Sequence, residues 1–369
     1  MRLVFVVVML VHGLIHLMGF VKAFGFARLP QLTRPISRSL GLVWLLACVL
    51  MIAAAATHLW APHWFWIVGM VAVVASQVVI VTSWRDARFG SLANMVVLVG
   101  VALGFAAWGP TSQWREYQDQ ARAGLALAPP AQAVREEELR ALPEPVQKYL
   151  RLTGAVGQPR VHNFKATWKG RIRASASEEW MPFHAEQYNF YGQLPSRLFF
   201  MQATMKHLPV TVLHRFVGDA ATFRVRPLSA FTLVFAKGPE MNRSETVTLF
   251  NDLCLLAPSM LLDDSIRWEP IDAHAARAHY TRGNETITAD LRFNDAGELV
   301  DFLSDDRSAA STDGTTFARQ RWTTPVRDYQ SFGPRRTFTR GEARWEPPAG
   351  AFAYAELELQ SLAYNVMAP

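Results

Sequence analysis

The chain has 369 residues, half of them hydrophobic and 18% charged, with a formal net charge of +6. Two cysteines exclude a disulfide-built scaffold, and the length is ample for a domain that buries its own core. The positive excess is local: of 37 basic and 31 acidic residues, seven and one fall within residues 1–110, which leaves 30 of each after them and implies no nucleic-acid partner.

Four apolar runs fill the start of the chain: Leu3–Phe20, Leu40–Leu59, Trp64–Ser83 and Leu92–Trp108. Each comes close to the roughly 20 residues a helix needs to cross about 30 Å of hydrocarbon. They are apolar all round, as lipid contact requires, whereas a helix on a water-facing surface would alternate its faces. The first loop carries Lys22, Arg28, Arg34 and Arg38, the second (Ala61–His63) no Lys or Arg, and the third Arg85 and Arg88 against Asp86. Cationic loops stay on the cytoplasmic side, so the N-terminus, the second loop and everything beyond Trp108 are expected on the other side. Trp60, Trp64 and Trp66 flank that second loop as an interfacial belt would. The start Met1-Arg2 also allows a cleaved signal peptide, but three remaining spans would place the four-cation segment outside, against the charge rule.

Polar residues inside the runs are few, and their depth follows from a rise of about 1.5 Å per residue. His12 lies about 14 Å from the outer end, His16 and Gln77 about 20 Å and Asn94 about 21 Å. A hydrogen-bonded cluster of His16, Gln77 and Asn94 is expected at one level, with His12 one turn away, because polar groups at that depth must pair or face a wet cavity. Gly100 and Gly104 permit close helix approach. Such a cluster serves either as polar glue or as a proton or quinone site. No metal or cofactor is expected, since His58 and His63 sit at the outer boundary and no acidic residue reaches the level of His12 and His16; Cys48 lies in an apolar run.

Residues 111–154 read as a helical juxtamembrane linker interrupted by a stiff Ala128-Pro129-Pro130-Ala131 spacer. Within it Glu136–Leu142 and Pro145–Leu152 are expected to be short helices, the second closing on Gly154 with Val146, Tyr149 and Leu150 on one face. Residues 155–369 change to a β rhythm. Ile287, Ala289, Leu291 and Phe293 alternate with polar neighbours, and Asn294-Asp295-Ala296-Gly297 turns the chain into Glu298–Leu303. Val210–Val217 and Ala220–Arg226 form a second hairpin, and Leu198–Met205 sets Phe199, Met201, Ala203 and Met205 on one face. Consecutive strands predict an antiparallel sheet. One segment breaks this rhythm: a helix capped by Ser244, with Val247, Phe250, Leu253, Cys254 and Ala257 at helical spacing before Pro258. Its apolar run, Leu253–Leu262, is expected to lie on the concave side of the sheet.

The expected class is α+β: a four-helix transmembrane bundle (1–110), the linker (111–154), then a curved, half-barrel-like antiparallel domain (155–369) with one or two apolar helices on its concave face. The order His12-Gly13-Leu14-Ile15-His16, then Leu142-Pro143-Glu144-Pro145-Val146-Gln147-Lys148-Tyr149-Leu150, then the strands and the Asn251-Asp252-Leu253 helix, resembles a bacterial family of uncharacterised membrane proteins known only as a domain of unknown function. That resemblance covers about Leu142 to Val366 and brings no activity or catalytic residues with it. The four apolar runs and the loop charges imply a multi-pass protein of the inner (plasma) membrane. In architecture alone the outer domain is similar to the periplasmic lipoprotein-carrier half-barrels, which hold acyl chains between sheet and helix. On that analogy Phe183, Phe199, Met201, Met205, Phe250 and Leu253 would line a ligand cavity; otherwise they fill a dry core.

Catalytic spacing is absent. No His-Glu-x-x-His, Gly-x-Ser-x-Gly or phosphate-cradling glycine loop occurs, and Asp272, His274 and His279, like Glu178, Glu179 and His184, suit solvated strand faces. The basic run Arg335–Arg344 is a candidate contact for anionic headgroups. The preferred expectation is a membrane-anchored binding or transport-accessory protein handling an apolar ligand, lipid or lipoprotein, or an envelope partner, rather than an enzyme. The alternative is a membrane-embedded enzyme or redox/quinone subunit using the His12 and His16 helix.

Overall fold

A computed structural model of the chain describes residues 2–126, 132–311, 313–348 and 350–368. The proline-containing spacer at 128–131 lies outside the described residues. The chain divides into two compact units, Met1–Arg115 with Leu228–Ala230, and Glu116–Pro227 with Phe231–Pro369.

In the first unit, α1 (Arg2–Ala23), α2 (Arg38–Trp60), α3 (Pro62–Thr82) and α4 (Gly90–Trp108) belong to four helices long and apolar enough to cross a membrane. Their large side chains divide by face. Met9, Met51, Ala54, Ala72 and Val97 are buried between helices, while Leu3, Val7, Leu46, Val74 and Val99 stand exposed. An apolar exterior of this kind suits lipid and not water. At one end the first and third loops are tied together, because Asp86 accepts hydrogen bonds from the Thr33 amide and hydroxyl, both at 2.7 Å, and from the Arg34 amide.

The second unit is built on a 14-stranded antiparallel sheet. In chain order its strands are β1 (Asn163–Ile172), β2 (Met181–Phe190), β3 (Ser196–Met205), β4 (Leu208–Val217), β5 (Ala220–Pro227), β6 (Val234–Lys237), β7 (Ile266–Asp272), β8 (Ala275–Arg282), β9 (Glu285–Phe293), β10 (Leu299–Ser304), β11 (Arg321–Thr323), β12 (Val326–Arg327), β13 (Arg340–Glu346) and β14 (Phe352–Tyr364). Across the sheet they run β6-β5-β4-β3-β2-β1-β14-β13-β11-β10-β9-β8-β7, with β12 beside β13. The edges β6 and β7 do not pair, so the sheet stays open. The expected hairpins form: Val217 pairs with Ala220, and Phe293 with Leu299.

One helix bridges the two edges. After α5 (Gln113–Leu125) and α6 (Glu144–Leu152), the helix α7 (Pro239–Leu256) leaves β6 and delivers the chain to β7. It is held from many sides: Asn242 accepts from the Ala221 amide at 2.8 Å, Arg243 reaches Glu285 and Asp306, Tyr149 donates to the Cys254 carbonyl at 3.0 Å, and Thr337 donates to that of Leu255 at 2.8 Å. Partners drawn from strands so far apart in the sheet require it to curl around α7. The helix begins at Pro239, so Ser244 is not its cap; the Ser244 hydroxyl accepts from the Ser308 amide at 3.0 Å. Val146, Tyr149 and Leu150 of α6 belong to the same buried core as α7 and the strands.

Gly170 marks a point of close approach between β1 and its neighbours. A Cβ there would stand 2.3 Å from the Glu356 carbonyl oxygen and 2.6 Å from the Phe183 ring. Gly170→Ala is expected to lower the stability of the sheet domain by about 1–3 kcal/mol, as overpacking does, read as an earlier denaturant midpoint. An unchanged midpoint would show that β1 has room to shift.

Candidate ligand-binding cavity

Alternation along the strands and the helical repeat aim a defined set of side chains at one space. On β3, Arg197, Phe199 and Met201 share a face; on β2, Phe183 and Gln187 do; α7 contributes Thr248, Asn251, Asp252, Leu255 and Leu256. The space they enclose, with Trp322, Phe338 and Arg307 on the far side, has a volume of about 140 Å³. Its surface is mainly apolar with a polar wall.

That wall is a buried ionic network. Arg197 donates through Nε to Asp252 Oδ2 at 2.7 Å and through Nη1 to Glu245 Oε2 at 3.3 Å. The same Asp252 oxygen accepts from Gln187 at 2.7 Å and Asn189 at 3.1 Å, and Gln187 is fixed in turn by Trp168 Nε1 at 2.9 Å. His214 Nδ1 lies 3.2 Å from Glu245 Oε1. Glu245 is fully buried, and Arg197 and Asp252 nearly so. Burial would raise the Glu245 carboxyl, but His214 and Arg197 beside it more than offset this and hold it at about 2. Asp252 is raised: its burial outweighs the attraction of Arg197. His214 is lowered by burial, against the pull of Glu245 and with Arg197 and Arg307 adding to the effect.

Of the side chains expected around a cavity, the structure brings Phe183, Phe199 and Met201 to it. Met205 packs at the margin of the core. Phe250 and Leu253 point elsewhere, because the turns of α7 that face the cavity present Thr248, Asn251 and Asp252. Phe250 stacks on Tyr280 with ring centroids 4.7 Å apart, and Leu253 faces a separate recess beside Tyr191 and Met260. The network itself escaped the sequence reading. Its one local signal is Glu245 and Asp252 seven residues apart on the helix, which places both on one stripe. In the basic run, Arg336 pairs with Glu298, Arg340 with Asp328 and Arg344 with Glu342, and Arg335 lies over the Tyr364 ring.

In the helical unit the polar residues form one chain of hydrogen bonds. His12 Nε2 lies 2.9 Å from Asn94 Oδ1 and 3.1 Å from Ser76 Oγ, His16 Nε2 lies 2.8 Å from Ser76 Oγ, and Asn94 donates to Gln77 at 3.0 Å. Ser76 is the hub that joins the two histidines, which depth counting alone separates. Among the described residues no group of three or more His, Cys, Asp or Glu is placed to hold a metal ion.

An open antiparallel sheet curled round a buried helix, following a set of membrane-length helices, defines the class of this protein. The chain belongs to the family of unknown function DUF6544, whose model matches residues 132–357. No curated protein matches it. Among solved structures, the chain is similar to a Vibrio parahaemolyticus domain described as an outer membrane lipoprotein-sorting protein domain (10% identity, 55% of this chain and 85% of that one, TM-score 0.33). It is similar also to a LolA superfamily protein from Nitrosomonas europaea (10% identity, 60% and 91%, TM-score 0.28) and to a DUF1329 family protein from Desulfovibrio piger (12% identity, 56% and 87%, TM-score 0.26).

Two measurements probe the network. Arg197→Ala would strand two buried carboxylates and is expected to cost about 3–5 kcal/mol of stability, seen by chemical denaturation. A histidine whose folded value lies below its unfolded one contributes stability that is complete above about pH 6.5 and is lost as pH falls below it. Wild type should therefore lose more melting temperature between pH 7 and pH 5 than His214→Gln does. Equal losses would show that His214 titrates as it does in the unfolded chain.

Proposed function

We propose that this is a membrane-anchored binding or transport-accessory protein, whose sheet domain stands on the extracytoplasmic side and takes up the apolar part of a lipid or lipoprotein ligand. The observation that carries this reading is the cavity between the sheet and α7, lined by Phe183, Phe199, Met201, Leu255, Leu256 and Phe338. Its volume matches the order of about 150 Å³ at which an engineered apolar cavity takes up benzene, and falls below the roughly 300–1,000 Å³ of pockets that enclose whole drug-sized ligands. It therefore suits a short stretch of one acyl chain and not a whole lipid. The four apolar helices supply the anchor. The cations of the first and third loops, which Asp86 ties together at one end of the helices, support a cytoplasmic location for that end.

A medium-chain fatty acid bearing a diazirine on its chain, photolysed with the full chain in non-ionic detergent, is expected to label peptides from β3 and α7. Filling the space by Leu256→Trp should reduce that labelling about tenfold, the equivalent of about 1.4 kcal/mol. Label confined to the four apolar helices in both proteins would refute a ligand cavity. For topology, alkaline phosphatase fused behind the C-terminus should be active and a fluorescent-protein fusion dark; the reverse pair would move the domain to the cytoplasm.

A further inference from the structure

Of the arginines buried among the described residues, Arg197, Arg282, Arg307 and Arg335, Arg307 is the one that joins Arg197 in lining the cavity. It is 9% exposed and lines the cavity, yet among the described residues it forms no ion pair. Arg197 is matched by Asp252 and Glu245. Arg307 instead donates through Nε to Thr248 Oγ1 at 3.1 Å and through Nη1 to the Tyr354 hydroxyl at 3.2 Å. Its guanidinium carbon lies 4.4 Å from the Trp322 ring centroid and 5.0 Å from that of Trp345. Tyr354 is held in place for this contact: it accepts from Trp322 Nε1 at 3.1 Å and stacks on Trp345 at 5.6 Å. Neutral hydroxyls and two indole faces orient the guanidinium, the Glu245 carboxyl acts on its charge without contacting it, and none of the described residues bonds Nη2.

Resting on the cavity reading above, the geometry points to Arg307 as the binding residue for a ligand's oxyanion, so that the cavity takes an amphiphile with a carboxylate or phosphate head and an apolar chain. A planar guanidinium binds both heads through paired N–H donors, and does so most strongly where water is excluded. Asp252, one turn beyond Thr248 on α7, and Glu245 are engaged by Arg197, which leaves Arg307 as the cavity-lining arginine that no carboxylate contacts among the described residues. The head at Arg307 then sets the ligand's orientation, and Leu255, Leu256 and Phe338 take the carbons next to it.

The test is competition against the diazirine probe on the full chain, using decanoate, decyl phosphate and decanol as competitors. In wild type at least one anion should compete at about tenfold lower concentration than decanol, the better anion identifying the head. In Arg307→Gln the anions should fall to the level of decanol while decanol itself competes as before, which also shows that the cavity is still folded. Equal competition by all three in wild type, or an anion preference that survives in Arg307→Gln, overturns the role of Arg307 and leaves the apolar cavity standing. Probe labelling outside the cavity that no competitor reduces overturns both.

Discussion

The need to bury Glu245 and Asp252 together on the helix that crosses the sheet constrains everything else in the second unit. Isolated buried carboxylates carry a desolvation cost of several kcal/mol each, which can be met only by a cation and by hydrogen bonds of good geometry. Arg197 supplies the cation to both, and Gln187 and Asn189 supply further donors to Asp252. These partners lie on β2 and β3, so α7 has one seating in which its polar stripe is satisfied. A slide by one turn would leave a carboxylate facing Phe199 or Met201. A buried ion cluster of this kind adds little net stability over an apolar substitute; its contribution here is to specify the register of helix against sheet.

The hairpins were legible because a two-residue repeat and a turn are local signals. Ile287–Phe293 and the Asn294–Gly297 turn carry both within one short stretch. The membrane-length helices were legible for a similar reason, since hydropathy over 20 residues needs no partner. The network was not, because Arg197 and Asp252 lie 55 residues apart and each alone looks like an ordinary surface charge. In the same way, depth counting put His16, Gln77 and Asn94 at one level but did not give the rotation of each helix. Rotation is what turns Ser76 inward between His12 and His16.

The two polar systems of the chain solve one physical problem by different means. In the helical unit the groups are neutral, and Ser76, Asn94 and Gln77 share donors and acceptors in a chain that ties α1 to α3 and α4. In the sheet domain the groups are ionic. The curled sheet surrounds α7 and brings donors from several strands, so it can satisfy full charges that three helices in an apolar medium would leave short of partners.

An apolar cavity beside charged groups looks contradictory, since apolar matter gains by leaving water and gains nothing from meeting unpaired ions. The contradiction disappears when each polar group is followed to its partner. Asp252 Oδ2 accepts three hydrogen bonds, both Glu245 oxygens are engaged, and Gln187 is held between Trp168 and Asp252. A wall whose hydrogen-bonding capacity is largely used internally makes less demand for water, and so tolerates an apolar neighbour better. Arg307 differs because its partners, Thr248 and Tyr354, are neutral and leave its charge in place. The lining is thus mainly apolar, with Arg197 and Asp252 paired to each other and Arg307 held by neutral groups, the asymmetry on which the proposed orientation of an amphiphile rests.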